Sequence, residues 1–327
     1  MVILLGPIFV TGMPRSGTTL LASLINAHSQ VAVSPETDYF NLVWKPIART
    51  GGFRDCGTVE AILVTFFGVA NVMRIEFPVD DLMTQFRSQW EQHTLDHSVI
   101  LETMLSWYAS KRGKPLWAEK TPDHFMYIPA IKSIFPAARV VAIVRDPRDV
   151  HLSLSKLPWS RGNALNHALQ WRGYQSLARI FETSFDGSFV QVRYEDLIAD
   201  PHGTTQILCN KLGLPFEAGM VERHAEELIF DPKAEPWKQE VQHPINSSNH
   251  TKWPNVLPAQ EVALFSRICE KYLRAWGYEV PRSSVFPGPM LKGLEWRSVA
   301  WWLRTNWRVK HGRDPWLGET ISRVRRL

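Results

Sequence analysis

A glycine-rich loop between a predicted strand and a predicted helix constrains the fold of this chain more than any other feature. The apolar run 7–11 predicts a buried strand, and the pattern from Thr19 to Asn26 predicts a helix. Between them, Gly12-Met-Pro-Arg-Ser-Gly-Thr-Thr19 matches G-x-x-x-x-G-K-[ST], except that Thr18 replaces the lysine. Such a loop points backbone N–H groups into one concavity at a helix N-terminus, which favours a phosphate. The alternative is a tight turn that merely requires glycine.

The absent lysine separates this loop from that of the nucleoside triphosphatases. In those enzymes the lysine reaches the β- and γ-phosphates, and the hydroxyl that follows it holds Mg²⁺. Here the positive charge comes from Arg15 inside the loop, and no strong Walker B pattern follows. The sequence therefore favours a nucleotide whose terminal group is not a γ-phosphate. A P-loop kinase or NTPase is the alternative enzyme class.

Further predicted strands alternate with helices along the chain. The runs 116–118, 139–144 and 189–193 predict buried strands, and the second is rich in β-branched residues. This alternation predicts an α/β protein whose central parallel sheet is covered by helices on both faces. The segment 41–113 has helical periodicity and little strand character, so we expect an inserted helical cover there. The aperiodic segment 231–258 is long for a loop in a compact domain, which favours a functional role.

A second candidate anion site follows the most β-branched of these strands. Arg145 lies where that strand ends, and Ser153 lies about two turns into the next predicted helix. Ligands of open α/β sheets bind at the carboxyl ends of the strands, and an arginine beside a hydroxyl suits a phosphate. The alternative is that Asp146 and Asp149 only pair with the neighbouring arginines and cap the helix. Together, the two sites indicate a nucleotide with anionic groups at both ends.

With these motifs in this order, the chain resembles the sulfotransferases that use 3′-phosphoadenosine-5′-phosphosulfate (PAPS), most closely the tyrosylprotein-sulfotransferase-like branch. The resemblance extends from about Pro7 to Tyr278. It implies a P-loop-like three-layer fold with a central parallel sheet. It also implies PAPS as the co-substrate, PAP as the product and no requirement for a metal.

The resemblance assigns the residues of a donor site. Arg193-Tyr-Glu-Asp-Leu197 resembles the family's Y-E-D-L segment, and Asn246 to Trp253 resembles its N-x₅-K-W segment. The P-R-S-G-T-T loop would hold the 5′-phosphosulfate, and the R-D motif with its serine would hold the 3′-phosphate. The implied donor-binding residues are Pro14, Arg15, Ser16, Gly17, Thr18, Thr19, Arg145, Ser153, Tyr194, Thr251 and Lys252.

The same resemblance implies three catalytic residues, Glu36, Lys120 and Arg15. Sulfuryl transfer needs a base for the proton of the acceptor, and cations for the charge that grows on the bridging oxygen and the sulfuryl group. Glu36 matches the family's catalytic glutamate, and Lys120 matches its lysine. From the residues alone, either could be an ordinary surface or capping charge. His124 and Asp123 are the alternative bases.

Two departures from the branch concern the acceptor. Asp38 replaces an arginine that is typical of enzymes acting on protein tyrosines, and we expect no membrane anchor because no apolar run approaches the ~20 residues of a span. Both argue against a protein tyrosine, so we expect a small-molecule, lipid or carbohydrate acceptor with a hydroxyl or an amine. A non-enzymatic nucleotide-sensing module is the alternative outside catalysis. The sequence does not indicate the oligomeric state.

The net charge of +5 comes from the C-terminal part of the chain. From Trp296 to Leu327 there are eight basic residues and two acidic ones, so the preceding residues are nearly neutral. A neutral body argues against a general polyanion surface, and we expect no nucleic-acid partner. Three scattered cysteines and a start without signal-peptide features predict a reducing, cytoplasmic compartment.

The predicted organisation is a sulfotransferase domain over 1–290 and a basic, Trp-rich amphipathic extension over 291–327. Four residues of the extension can share one helical face: Trp296, Ala300, Leu303 and Trp307. Two interpretations stay open. The helix packs on the domain, or residues 296–327 contact a membrane surface or a protein partner.

Overall fold

The computed structural model describes residues 6–157, 160 and 162–281. In these residues one sheet contains the strands β1 (Ile8–Gly12), β2 (Val31–Val33), β3 (Leu116–Lys120), β4 (Arg139–Val144) and β5 (Phe189–Arg193). The strand order is β2-β3-β1-β4-β5, and β3 pairs in parallel with β1 and with β2. Parallel neighbours need crossover connections, which helices supply. The predicted α/β fold, with a central parallel sheet and flanking helices, is confirmed.

Helices account for most of the remaining regular structure. The α-helices are α1 (Thr18–Asn26), α2 (Lys45–Arg49), α3 (Cys56–Phe67), α4 (Ala70–Met73), α5 (Val79–Glu91), α6 (His97–Lys111), α7 (Ile128–Ile134), α8 (Pro147–Leu154), α9 (Ala164–Ser184), α10 (Tyr194–Ala199), α11 (Pro201–Leu212), α12 (Gly219–Glu222) and α13 (Ala259–Ala275). A π-helix covers Phe40–Trp44, and 3-10 helices cover Pro122–Tyr127, Pro236–Gln242 and Trp253–Asn255.

The strand β3 is longer than its apolar run predicts. The run ends at Ala118, but the strand continues through Glu119 and Lys120, which pair with Phe9 and Val10 of β1. Both charged residues are fully buried. A buried charge needs a partner, so this extension indicates that partners for both side chains lie close to the end of β3.

The chain forms two compact units, of which the first comprises 6–11, 18–141 and 202–244. In this unit α1 packs on β2, and α6 packs on β2 and β3. The helices α2 to α6 lie within the segment predicted as a cover. Phe66 of this segment packs with Tyr39 and Phe40, which directly precede it: the rings of Phe40 and Phe66 lie 5.6 and 5.7 Å from that of Tyr39, and all three residues are buried.

The second unit contains the loop 12–17, the end of β4 with the residues up to 201, and the described residues from 245 onward. Its core lies between α9 and α13, with α8 packed against both. The predicted extension 291–327 lies outside the described residues, as does the predicted domain boundary at 290. None of the described helices has both the length and the apolar character of a membrane span.

Candidate donor and transfer sites

The loop from Gly12 to Gly17 depends on backbone conformations that favour glycine. Gly17 has φ of +100°, and a Cβ there would lie 2.5 Å from the ring of Tyr194. Arg15 adopts φ of 71° although it carries a side chain. Such conformations are strained and concentrate at functional sites. Gly17 is therefore structurally required, and the helix α1 begins directly after it at Thr18.

The side chain of Arg15 joins the two predicted anion sites. Its Nε donates a hydrogen bond to Ser153 Oγ at 3.0 Å, and Arg145 donates to the carbonyl oxygen of Arg15 at 3.5 Å. The guanidinium of Arg145 also lies 4.3 Å from the centre of the Tyr194 ring. We call Arg15, Ser16, Gly17, Arg145 and Ser153 the anion cradle.

The anion cradle holds buried donors without a partner. Among the described residues, Ser16 Oγ and Arg145 Nε are inaccessible and have no hydrogen-bond partner. Burying such a group unsatisfied costs about 1–3 kcal/mol, and a phosphate oxygen would satisfy either of them. The cradle therefore fits the phosphate groups of the nucleotide that the resemblance implies. Thr18 and Thr19, in the first turn of α1, are buried as well.

Arg148 and Asp149, in the segment Arg145-Asp-Pro-Arg-Asp149, fix the loop that contains Thr251 and Lys252. The buried carboxylate of Asp149 accepts hydrogen bonds from three consecutive backbone N–H groups, those of Thr251, Lys252 and Trp253, at 2.6, 2.9 and 3.1 Å. Arg148 stacks on the Trp253 ring at 3.7 Å. The side chains of Thr251 and Lys252 are exposed, so the structure fixes the backbone of these two predicted donor-binding residues.

Asp146 behaves differently from Asp149. Its carboxylate accepts hydrogen bonds from the backbone N–H and the guanidinium of Arg148, at 2.6 to 2.9 Å. Asp146 therefore pairs with an arginine and caps α8, as the alternative interpretation of the motif expects. Asp149 instead holds the distant loop 251–253. Asn249 in that loop also accepts from Arg145 at 3.0 Å and donates to the Tyr194 hydroxyl at 3.1 Å.

The predicted catalytic residues Glu36 and Lys120 form an ion pair. Lys120 Nζ, fully buried at the end of β3, donates to Glu36 Oε1. Lys238 donates to the same oxygen at 2.7 Å and also pairs with Glu235. We call Glu36, Lys120, Glu235 and Lys238 the charge cluster. It contains as many carboxylates as ammonium groups, so its charges compensate one another.

The charge cluster changes the acidity of its members. Burial raises the pKa of Glu36, but the ammonium groups of Lys120 and Lys238 outweigh it and lower that pKa to about 2. Burial lowers the pKa of Lys120 to about 8, although Glu36 opposes this shift. Glu36 is accordingly a carboxylate at neutral pH, and Lys120 is a cation that loses its proton just above neutral pH.

Sequence reasoning did not identify Lys238 or Glu235. Both lie in the segment 231–258, for which a functional role is predicted, but nothing in the local sequence separates Lys238 from the exposed Lys233. Only the burial of Lys238, which is 7% exposed, and its contact with Glu36 distinguish it.

A buried carboxylate, Glu119, fixes the turn that carries Glu36. Its Oε1 accepts from the backbone N–H and the hydroxyl of Thr37, at 3.2 and 2.9 Å, and from the Thr121 hydroxyl at 2.6 Å. Burial raises the pKa of Glu119, but the neighbouring His124 and these hydrogen bonds lower it overall. Glu119 therefore ties the turn after β2 to the end of β3.

The alternative base His124 belongs to this buried network. Its Nδ1 lies 2.7 Å from Glu119 Oε2, and its Nε2 lies 3.4 Å from the backbone N–H of Phe40. With both ring nitrogens engaged and no exposed surface, His124 is badly placed to take a proton from an acceptor. Asp123 is half-buried beside it. Asp38, in the position of the missing arginine, has its pKa raised by burial.

Known proteins are similar to this chain in sequence and in fold. The model of the sulfotransferase family matches residues 7–218. Protein-tyrosine sulfotransferase 1 of Danio rerio is 25% identical over 77% of this chain and 66% of its own length. Protein-tyrosine sulfotransferase 2 of Gallus gallus is 24% identical over 83% of this chain and 69% of its own length. The chain thus spans about two thirds of these relatives.

A solved structure supports the fold. The sulfotransferase domain of the Synechococcus PCC 7002 olefin synthase has a TM-score of 0.58 at 19% identity, over 84% of this chain and 95% of that domain. The predicted resemblance, including the relationship to the tyrosylprotein branch, is confirmed. Among the described residues, no group of three or more His, Cys, Asp or Glu side chains is arranged to hold a metal ion.

Proposed function

Since this chain belongs to the sulfotransferase family, we propose that it transfers the sulfuryl group of PAPS to a hydroxyl or an amine of an acceptor in one in-line displacement. The anion cradle carries this proposal. Its two buried donors, Ser16 Oγ and Arg145 Nε, lack a partner among the described residues. A nucleotide with phosphate groups at both ends satisfies donors of this kind.

In this proposal the two motifs of the anion cradle bind opposite ends of the donor. The loop around Arg15 and Ser16 binds the 5′-phosphosulfate, and Arg145 with Ser153 binds the 3′-phosphate. When bound, PAPS supplies an activated sulfuryl group on a phosphate leaving group. The contact between Arg15 and Ser153 at 3.0 Å is consistent with a shared binding surface for both ends of the nucleotide.

The transfer itself needs a base and cations, for which the charge cluster supplies candidates. Glu36 takes the proton of the acceptor as the new bond to sulfur forms. Lys120 and Arg15 stabilise the negative charge that grows on the phosphate oxygen when its bond to sulfur breaks. No residue forms a covalent intermediate in this scheme. Its support is the ionised state of Glu36 and the cationic state of Lys120 near neutral pH.

For the acceptor we propose a small molecule, a lipid or a carbohydrate. The relatives in Danio rerio and Gallus gallus are named protein-tyrosine sulfotransferases, so a tyrosine-containing peptide belongs in any test. Against a peptide stands Asp38, a carboxylate where that branch typically has an arginine. An acceptor without negative charge suits this carboxylate better than an acidic peptide does.

A transfer assay with ³⁵S-labelled PAPS tests the proposal. The panel contains phenols, amines, lipid hydroxyls, oligosaccharides and a tyrosine peptide, and we expect transfer to one of the non-peptide classes. Calorimetry should show PAP binding without Mg²⁺. Mg²⁺-dependent ATP hydrolysis without PAP binding would establish a kinase or NTPase instead. PAP binding without turnover on any acceptor would point to a nucleotide-sensing module.

A further inference from the structure

We propose that Lys238 is a positioning residue for the transfer reaction, whose ammonium group orients the carboxylate of Glu36. This inference rests on the proposed function and adds to it a residue outside every motif of the sequence. Lys238 lies in the 3-10 helix Pro236–Gln242, and its side chain is almost fully buried. A lysine is rarely buried without a specific partner.

The geometry around Glu36 assigns different tasks to its two oxygens. Lys120 and Lys238 both donate to Oε1, the second of them at 2.7 Å. The oxygen that can accept a proton from the acceptor is therefore Oε2. Two charged hydrogen bonds to one oxygen restrict rotation of the carboxylate, so the lysines set the direction in which Oε2 points.

The two lysines differ in the number of carboxylates that they contact. Lys238 pairs with Glu36 and with Glu235, which is only 13% exposed. The ion pair of Lys120 is with Glu36. Under the proposed function Lys120 also acts on the donor, whereas Lys238 is held between two carboxylates. Lys238 is thus the ammonium that remains on Glu36 during transfer.

This arrangement resolves a difficulty with Glu36 as a base. A carboxylate with a pKa of about 2 accepts a proton poorly. Under the proposed function Lys120 also acts on the donor, and its departure from Glu36 would remove one of the two lowering influences and raise the pKa of Glu36. Lys238 limits that rise, because its ammonium group still opposes the effect of burial on the pKa of Glu36. The charged groups that act on Glu36 are Lys120 from β3 and Lys238, and Glu235 acts on both lysines.

The proton and electron balance of the step then depends on an ionised Glu36. The acceptor O–H or N–H bond breaks and its proton goes to Oε2, as the acceptor atom bonds to sulfur. The bond between sulfur and the bridging phosphate oxygen breaks, and its electron pair stays on that oxygen. A Glu36 that is already protonated cannot take part, so loss of Lys238 should appear at low pH first.

The test compares Lys238→Met with Lys238→Arg, and uses Lys233→Met as the matched control, since Lys233 is exposed in the same segment. In the labelled-PAPS assay we expect Lys238→Met to lower kcat about tenfold or more at neutral pH. The acid limb of its pH profile should move up by about 1–3 pH units, the range for loss of a nearby opposite charge. Lys238→Arg should restore the position of this limb, and Lys233→Met should match the wild type.

A second measurement does not depend on the acceptor. Carbon-13 NMR of the full chain with labelled glutamate carboxyls, assigned with Glu36→Gln, follows the ionisation of Glu36 directly. In the wild type Glu36 should stay ionised down to the lowest pH at which the protein is folded, and in Lys238→Met it should titrate within that range. PAP affinity within twofold of the wild type shows that each variant is folded, and Lys238→Gln replaces Lys238→Met if the latter does not fold.

The outcomes separate this inference from the proposed function. An unchanged acid limb together with an unchanged Glu36 titration in the Lys238 variants would overturn the role of Lys238. A wild-type enzyme that never transfers from PAPS would overturn the proposed function, and also the role of Lys238 in transfer. In that case a shifted Glu36 titration would reduce Lys238 to a structural partner of Glu36.

Discussion

The anion cradle and the charge cluster handle charge in opposite ways. In the cradle, Ser16 Oγ and Arg145 Nε are buried donors that lack partners in the described part of the chain. In the charge cluster, every ammonium group already contacts a carboxylate. A region with unsatisfied donors is organised to bind an anion, whereas a region of compensated charges must exchange partners before it can act. The cradle is therefore a candidate for binding the donor, and the charge cluster is a candidate for a step that follows binding.

The largest expected effect tests whether the charge cluster acts in chemistry rather than in binding. Glu36→Gln removes the proposed base but keeps the shape of the side chain, so kcat should fall by about 10²–10⁴-fold. Calorimetry should show PAP binding within twofold of the wild type. The exposed Glu240→Gln serves as the control. Normal turnover by Glu36→Gln would assign the base to another residue, with Asp123 as the next candidate.

A substitution in the anion cradle should reduce donor binding rather than turnover of the bound donor. Arg145→Ala removes charged hydrogen bonds, each of which contributes about 1.5–3 kcal/mol. PAP affinity should therefore fall by about 10- to 150-fold in a calorimetric titration. Arg54→Ala, an exposed arginine in the first unit, should leave affinity unchanged. Equal PAP affinity in Arg145→Ala and the wild type would remove the second anion site from the proposal.

The backbone of the cradle can be tested separately from its charges. Gly17→Ala places a Cβ 2.5 Å from the Tyr194 ring at φ of +100°, so the loop must shift and donor affinity should fall by about 10- to 100-fold. Gly52 has φ of +90° and open space around it. Gly52→Ala carries a similar backbone penalty without the clash, and equal PAP affinities of the two variants would argue against a fixed loop.

The loop anchored by Asp149 should show a smaller effect. Asp149→Asn replaces one acceptor with an N–H donor opposite three backbone N–H groups, so the free energy of unfolding should fall by about 1–3 kcal/mol. Urea denaturation measures this change. The exposed helix cap of α3 offers the comparison, since Asp55→Asn should cost less than Asp149→Asn does, because asparagine is as good an N-cap as aspartate. A difference in the other direction would mean that the 251–253 loop is held by other contacts.

The smallest effect concerns pH. Lys120 is a cation below its pKa of about 8 and neutral above it, so kcat/KM should decline as pH rises through about 8. In Lys120→Arg the charge persists to much higher pH, and the alkaline limb should move upward even if the rate is lower throughout. Equal alkaline limbs in the two enzymes would assign that limb to another group and would weaken the contrast between the regions.

Several parts of the proposed donor site follow from local sequence alone. Gly12 and Gly17 between a strand and a helix predict the loop, because a left-handed backbone and a close approach both require glycine. The run 139–144 predicts β4, since consecutive β-branched residues suit a strand buried on both faces. Arg145 then falls at the end of that strand by chain order. Each of these inferences uses neighbours in the sequence.

Residues that act through distant partners could not be predicted in this way. The strand β3 continues past Ala118 because Glu119 and Lys120, although charged, are buried beside their partners. Asp149 anchors residues about 100 positions later in the chain, a contact to which no spacing pointed.

The sequence by itself determined the family, the order of the elements and most positions of the anion cradle, because these depend on periodicity, glycine and chain order. Only the tertiary structure decided that Lys238 meets Glu36, which lies 202 positions away in the sequence. It also decided that His124 is enclosed and that Asp146 and Asp149 have separate partners. The physical reason is that the ionisation and orientation of a side chain depend on the charges and burial around it, and folding alone brings those together.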